Sequence, residues 1–106
     1  MQDKLRTILA DLRQQMQALY AERLAALLLY GSRARGDAAS DSDIDVLVVL
    51  RGDVSPGLEV DRTLDIVTEL SSSHDEVITC IFVSDHEFAQ HDSPLLLNVR
   101  REGVPV

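Results

Sequence analysis

Residues 27–50 have the sequence LLLYGSRARGDAASDSDIDVLVVL, and this stretch decides the interpretation of the chain. An apolar run ends at Gly31 and Ser32, a polar segment follows, and Asp43 and Asp45 open a second apolar run. Side chains two residues apart on a β-strand point to the same face, so the two carboxylates are predicted to be neighbours. Neighbouring like charges disfavour each other's ionisation, and a bound divalent cation removes that repulsion. The stretch therefore predicts a metal site.

Length and composition bound the class of protein. The chain has 106 residues, 45% hydrophobic and 26% charged, which suits one globular domain over residues 1–106. No apolar run approaches the ~20 residues needed to cross a bilayer, and no signal peptide is evident. A single cysteine, Cys80, cannot form an internal disulfide, so we expect a cytoplasmic protein. The net charge of −8 argues against direct nucleic-acid binding, which needs a basic surface.

Hydrophobic periodicity predicts helices alternating with strands. The first half is predicted to hold a helix from Asp3 to Tyr20, a strand from Leu24 to Tyr30, a helical turn from Arg33 to Asp37, a loop from Ala38 to Ser42 and a strand from Ile44 to Leu50. The second half is predicted to hold a helix from Ser55-Pro56 to Ser71-Ser73, a strand from Val77 to Val83, helices opened by Ser84 and by Ser93-Pro94, and an edge strand over Val104 to Val106. We expect an α/β (α+β) domain in which helices cover a small sheet.

Phosphoryl or nucleotidyl transfer is the chemistry that suits the central stretch. It relies on positioning and charge stabilisation, with Mg²⁺ bridging phosphate oxygens and carboxylates holding the metal. Gly31 lets the backbone approach a phosphate closely, and Ser32 adds a hydroxyl and an amide at a possible helix start. Arg33 and Arg35 follow this turn and could balance phosphate charge.

The segments GSRARG and DSDIDVLVVL at this spacing resemble the GS…DxD signature of the DNA polymerase β-type nucleotidyltransferase superfamily. Within it, the chain resembles the small stand-alone members called minimal nucleotidyltransferases. The resemblance covers nearly the whole chain, including the leading helix and the ending SPLLLNVRREGVPV. It implies a small mixed β-sheet flanked by helices in a polymerase β-like palm fold. It also implies Mg²⁺ and a nucleoside triphosphate donor, for which we expect ATP.

The resemblance further implies a third carboxylate on the strand beside the DxD strand. In this chain the position falls on Asp75 or Glu76, just ahead of VITCIFV. Their side chains should point to opposite faces, so only one can complete the site. Asp75 is favoured because it lines up with the family's acid. The expected metal-binding and catalytic residues are then Asp43, Asp45 and Asp75, and the expected nucleotide-binding residues are Gly31, Ser32 and Arg35.

Partners are also implied by the resemblance. Stand-alone members commonly act as antitoxins of a helical HEPN-type RNase toxin, so the expected activity is transfer of AMP to a hydroxyl on such a toxin, for instance a tyrosine. The chain has no room for an acceptor-binding domain, so the acceptor is expected to be held by a partner or by a homo-oligomer. Two alternatives stay open: a non-catalytic module that binds nucleotide or occludes its partner, and a transferase that modifies a small molecule such as an antibiotic.

Overall fold

The computed structural model describes residues 2–36 and 42–106, and its elements follow the predicted order. The helices are α1 (Asp3–Tyr20), α2 (Ser32–Arg35), α3 (Pro56–His74), α4 (Asp85–Gln90) and α5 (Pro94–Glu102). The strands are β1 (Leu24–Tyr30), β2 (Ile44–Leu50), β3 (Ile78–Ser84) and β4 (Val104–Pro105). Most of the predicted loop from Ala38 to Ser42, and the predicted helical end at Asp37, fall at 37–41, outside the described residues. No helix in the described ranges is long and apolar enough to span a membrane.

The four strands form one sheet in the order β3-β2-β1-β4. β1 pairs antiparallel with both β2 and β4, whereas β2 and β3 are parallel. The sheet is therefore mixed, as expected. The parallel pair needs a long crossover connection, which α3 supplies. This order leaves the outer edge of β3 without a partner strand among the described residues.

Helices cover the two faces of the sheet unequally. One face packs against α1 and α3 around a core that includes Ile8, Leu12 and Met16 of α1 and Val46 and Val48 of β2. The opposite face packs against α4 and α5 in a smaller cluster: Leu47, Val49, Val83, Leu96 and Val99. β2 is buried on both faces, which explains its unbroken aliphatic sequence. Asp45, near the start of this central strand, is only partly covered.

The predicted helix starts are confirmed, with one difference in chemistry. The hydroxyl oxygens of Ser84 and Ser93 accept hydrogen bonds from the backbone amides of Glu87 and Leu96, at 3.0 and 3.2 Å. Ser55 holds the corresponding position before α3, but its side chain makes no capping hydrogen bond. The start of α3 therefore depends on proline at its first position.

Several element boundaries differ from the sequence prediction by one to three residues, and three of them bear on the site or its surroundings. α2 begins at Ser32 because the carbonyl of Gly31 accepts from the amides of Ala34 and Arg35, at 3.1 and 3.2 Å. α3 continues through His74, since the residue after it adopts the left-handed conformation that ends helices. β3 begins at Ile78 and not at Val77. The last difference bears on the predicted third carboxylate.

Candidate active site

Gly31 brings the two predicted motifs into contact. Its backbone has φ +75° and ψ −160°, a combination that residues with a side chain rarely adopt. A Cβ added to Gly31 would lie 2.6 Å from the Oδ2 atom of Asp45, closer than real Cβ atoms approach a neighbour. The carboxylate of Asp45 therefore occupies the space that a side chain at Gly31 would fill.

The short helix α2 starts directly at this contact. Ser32 is its first residue, and first-turn amides of a helix have no intrahelical acceptor. Gly36 ends the helix in the left-handed conformation, with its amide donating to the carbonyl of Ser32 at 3.1 Å. The hydroxyl-bearing residue of the Gly-Ser pair is thus fixed at the helix start, beside the acid of β2.

Asp43 and Asp45 form an electrostatically coupled pair. Asp43 is exposed just before β2, and Asp45 is half-buried on the strand. Burial raises the pKa of Asp45 above its usual value, and the charge of Asp43 raises it further. In the absence of a cation, Asp45 therefore ionises at a free-energy cost. Two carboxylates completed by substrate phosphates are a normal ligand set for Mg²⁺, so the residues present fit that ion.

Asp45 is flanked in the sheet by two hydroxyl side chains. Its partner on β1 is Tyr30, and its partner on β3 is Thr79. Paired residues of neighbouring strands point to the same face, so the three form one row across the sheet. Burial raises the pKa of the Tyr30 phenol, and the charge of Asp45 raises it further. Position 79, where β3 could offer a carboxylate beside Asp45, thus carries a neutral side chain.

Asp75 and Glu76, the two positions considered for a third carboxylate, both precede β3, the strand beside the DxD strand, and a ligand role for either stays a prediction. Asp75 ends α3 as an exposed residue with φ 52° and ψ 48°, three residues before Ile78 opens β3. Across residues 2–36 and 42–106, no three His, Cys, Asp or Glu side chains are grouped closely enough to hold a metal. The structure therefore does not bring Asp75 to Asp43 and Asp45.

Glu76 forms ion pairs with two basic side chains. Its two carboxylate oxygens lie 3.6 Å from the Lys4 ammonium and 3.5 Å from the Arg33 guanidinium. The side chains of Glu76 and Arg33 are 9% and 6% exposed, so this ion pair is largely buried. Arg33 also donates to the carbonyl of Ser42 at 2.8 Å. These contacts tie α2 to the residue just before Asp43.

Arg33 has a structural role that the sequence did not predict, because the sequence indicated only a possible phosphate ligand. The signal for its structural role was a basic residue after the Gly-Ser turn together with an acid ahead of β3. Arg35, the residue expected to bind nucleotide, is exposed and lies 3.7 Å from Glu102 of α5. Its role in nucleotide binding stays a prediction.

Fold and site together define a class: a mixed α/β domain in which a Gly-Ser turn faces a strand-borne acid pair, the arrangement expected of a nucleotidyltransferase. Residues 6–96 match the family model described as a nucleotidyltransferase domain, and the chain belongs to that family. It is 37% identical over 73 residues to a candidate protein adenylyltransferase, MJ0604, of Methanocaldococcus jannaschii. That alignment covers 69% of this chain and 67% of the relative.

Solved structures share the fold at low sequence identity. A toxin–antitoxin crystal structure with AMP-PNP aligns with a TM-score of 0.61 at 17% identity, over 89% of this chain and 68% of that chain. A mutant of the toxin–antitoxin MntA-HpeT gives 0.60 at 13% identity, over 98% and 71%. A candidate nucleotidyltransferase from Sulfolobus solfataricus gives 0.50 at 19% identity, over 99% and 86%.

Proposed function

We propose that this protein transfers AMP from ATP to a hydroxyl group of a partner protein, and that it acts as the antitoxin of a helical HEPN-type toxin. The observation that carries the proposal is the contact of Gly31 with Asp45, because it joins a turn suited to a phosphate to an acid suited to a metal ion. The similarity to a candidate protein adenylyltransferase supports a protein acceptor. The toxin–antitoxin neighbours, one of them with AMP-PNP, support a toxin partner and a nucleotide donor.

The proposed reaction is a displacement at the α-phosphorus of ATP. The acceptor oxygen forms a bond to that phosphorus, the bond to the oxygen leading to the β-phosphate breaks, and pyrophosphate leaves. The acceptor proton passes to a carboxylate of the site. Asp43 and Asp45 would hold Mg²⁺, which supplies charge neutralisation of the phosphates when bound. Gly31 and Ser32 would position the donor phosphates through backbone approach and amide hydrogen bonding.

The test is transfer of label from α-³²P-ATP. The protein is expressed with the product of its neighbouring reading frame, co-purified, and incubated with labelled ATP and Mg²⁺. We expect a labelled partner band that EDTA abolishes and that Asp43→Asn reduces by at least about a hundredfold. Asp53→Asn is the matched control, since Asp53 is an exposed acid after the other end of β2. No label on the partner, or equal label with Asp43→Asn, contradicts the proposal.

One observation favours a second candidate, a nucleotide-binding module that inhibits its partner without turnover. Thr79 stands beside Asp45 where a carboxylate would strengthen the metal site. Under this alternative the protein binds Mg²⁺ and ATP and silences the toxin by occupying it. Toxin inhibition by wild type and by Asp43→Asn separates the candidates: equal inhibition without label transfer supports occlusion, and loss of inhibition with Asp43→Asn supports transfer.

A further inference from the structure

The outer edge of β3 carries backbone groups that point away from β2, and Cys80 on this edge is partly exposed. The amide of Ile44 donates to the carbonyl of Val77 at 2.8 Å, so the polar groups of residue 77 face β2. Polar groups alternate along a strand, which directs the amides and carbonyls of Cys80 and Phe82 outward. The outward amide of Ile78 is already used, since it donates to the hydroxyl of Ser71 at 3.3 Å.

This edge lacks the features that normally protect an exposed strand. Its sequence, ITCIFVS, holds no lysine, no proline and no charged residue. Natural proteins place such residues on free edges because an apolar, unprotected edge pairs with other chains. The edge of β3 is therefore chemically equipped to receive an extended polypeptide segment, whereas a helix could not satisfy its backbone groups.

An apolar crevice runs beside this edge. It has a volume of about 220 Å³ and is lined by residues of α3 and β3: Val60, Thr63, Leu64, Val67, Ile78, Thr79, Cys80 and Phe82. Val60 and Leu64 are 46% and 55% exposed, high values for aliphatic residues. A strand added to β3 would place every second side chain over this α3–β3 crevice and remove that surface from water.

The acidic residues near the crevice favour a basic polypeptide segment as its partner. Asp61 and Asp65 are exposed on α3, the helix that forms one wall of the crevice, and each follows a crevice residue, Val60 or Leu64, by one position. The whole chain carries a net charge of −8. A basic segment would be attracted to this surface, and an acidic one repelled.

The other face of an added strand would meet the active site. Thr79 lies in the row with Asp45, on the sheet face opposite the α3–β3 crevice residue Cys80. Strands are spaced by about 4.8 Å, so a side chain on this face of the new strand would start about 10 Å from Asp45. A long side chain that ends in a hydroxyl, such as tyrosine, can reach from there towards a phosphate bound at the acid pair.

We propose that the acceptor segment binds as an added strand on the free edge of β3. Its apolar side chains at alternate positions fill the α3–β3 crevice, its basic residues face Asp61 and Asp65, and its acceptor hydroxyl points along the row of Thr79 and Asp45. This rests on the proposed function and specifies its substrate: an extended, basic segment of a protein and not a folded surface.

The probe is a short synthetic peptide that alternates valine with lysine and carries one tyrosine on the lysine face. Binding is followed by NMR up to millimolar peptide, without ATP or Mg²⁺, so the result is independent of catalysis. We expect the Cys80 and Phe82 amides to exchange more slowly with the peptide than in the protein alone. A second peptide carries N-methyl groups on the amides of both of its edges, which blocks strand pairing. This peptide should leave the Cys80 and Phe82 amides unprotected.

Matched variants on α3 locate the crevice side chains. Leu64→Lys should weaken peptide binding by about tenfold, because the crevice loses an apolar wall. Leu58→Lys should leave it unchanged, since Leu58 is on the same helix, is 53% exposed against 55% for Leu64, and does not line the crevice. Circular dichroism of each variant confirms that it is folded.

Three outcomes overturn the inference. Absence of protection at Cys80 and Phe82 at every peptide concentration excludes the added strand. Equal weakening by Leu58→Lys excludes the crevice. Protection of the same amides without peptide, rising with protein concentration together with a sedimenting dimer, assigns the edge to a second copy of this chain. If the peptide binds as expected but the partner is never labelled, the proposed function fails while the docking surface stands.

Discussion

At the scale of single residues, Gly31 decides whether the site can exist. Gly31→Ala would force a Cβ to within 2.6 Å of Asp45 Oδ2, so we expect loss of Mg²⁺–ATP binding and about 1–3 kcal/mol lower free energy of unfolding. Gly36→Ala is the control, because Gly36 also has a positive φ, +77°, but a Cβ there meets nothing within 4 Å. Titration calorimetry should show normal binding for Gly36→Ala. Wild-type affinity in Gly31→Ala would contradict the assigned contact.

We expect Thr79 to limit how strongly the proposed site binds metal without nucleotide. An acid at this position would stand beside Asp45 in the sheet, so Thr79→Asp should raise Mn²⁺ affinity in the absence of ATP by about tenfold. Electron paramagnetic resonance of free Mn²⁺ measures this directly. Thr79→Asn keeps the shape without the charge and Thr7→Asp places the charge on exposed α1; neither should raise the affinity. An unchanged affinity in Thr79→Asp would show that position 79 does not face the metal.

The raised pKa of Asp45 predicts the direction in which replacing this residue changes the free energy of unfolding. A carboxyl whose pKa is higher in the folded than in the unfolded state lowers stability above its folded pKa and has no effect below its unfolded pKa, about 3.9. With EDTA present, Asp45→Asn should therefore unfold at higher denaturant than wild type at pH 7. The difference should shrink as the pH falls through the folded pKa of Asp45 and vanish below the unfolded pKa. A variant less stable than wild type at pH 7 would contradict the raised pKa.

At the scale of elements, α1 and α3 are joined by a buried polar contact. The phenol of Tyr20 donates to Glu59 Oε1 at 2.7 Å, and both residues are at most 5% exposed. Glu59 also lies 3.2 Å from Arg62 and 3.8 Å from Arg23. Glu59→Leu leaves the phenol without an acceptor, so we expect a loss of about 1–3 kcal/mol in unfolding free energy.

A double-mutant cycle tests this assignment. Tyr20→Phe should cost stability in wild type but little or nothing in the Glu59→Leu background, because the hydrogen bond is then already lost. Denaturant unfolding of the four proteins gives the coupling energy. Additive losses would show that the two side chains do not depend on each other.

Much of the element pattern was predictable because it depends on local chemistry. The apolar runs gave three strands, and Ser84 and Ser93 gave two helix starts by a mechanism that needs only three or four residues. The place of Asp75 was not predictable in this way. It depends on where α3 ends and on the register of β3 against β2, and a shift of one residue reverses the face of every side chain. Pairing partners such as Thr79 are set by that register.

At the scale of the whole molecule, the two ends of β2 differ in their surroundings: the proposed donor site lies at the start of the strand and a surface turn follows its end. A chain with a net charge of −8 repels a nucleotide, so binding at Asp43 and Asp45 requires a cation. Gly52 and Asp53 follow the opposite end of the strand, about 20 Å from its start. The molecule, 33 × 28 × 20 Å in extent, therefore places the proposed donor site near one end of its sheet, next to the free edge of β3.

The most direct test of the central claim, that Gly31, Asp43 and Asp45 form one metal–nucleotide site, uses Mn²⁺ as a paramagnetic probe. With ATP present, Mn²⁺ should broaden the NMR signals of amides around Gly31, Asp45 and Thr79, and should leave those of Gly52 and Asp53 sharp. Asp43→Asn should remove the broadening at low Mn²⁺ concentration. Broadening centred elsewhere, or none near Gly31 at saturating Mn²⁺ and ATP, would contradict the claim.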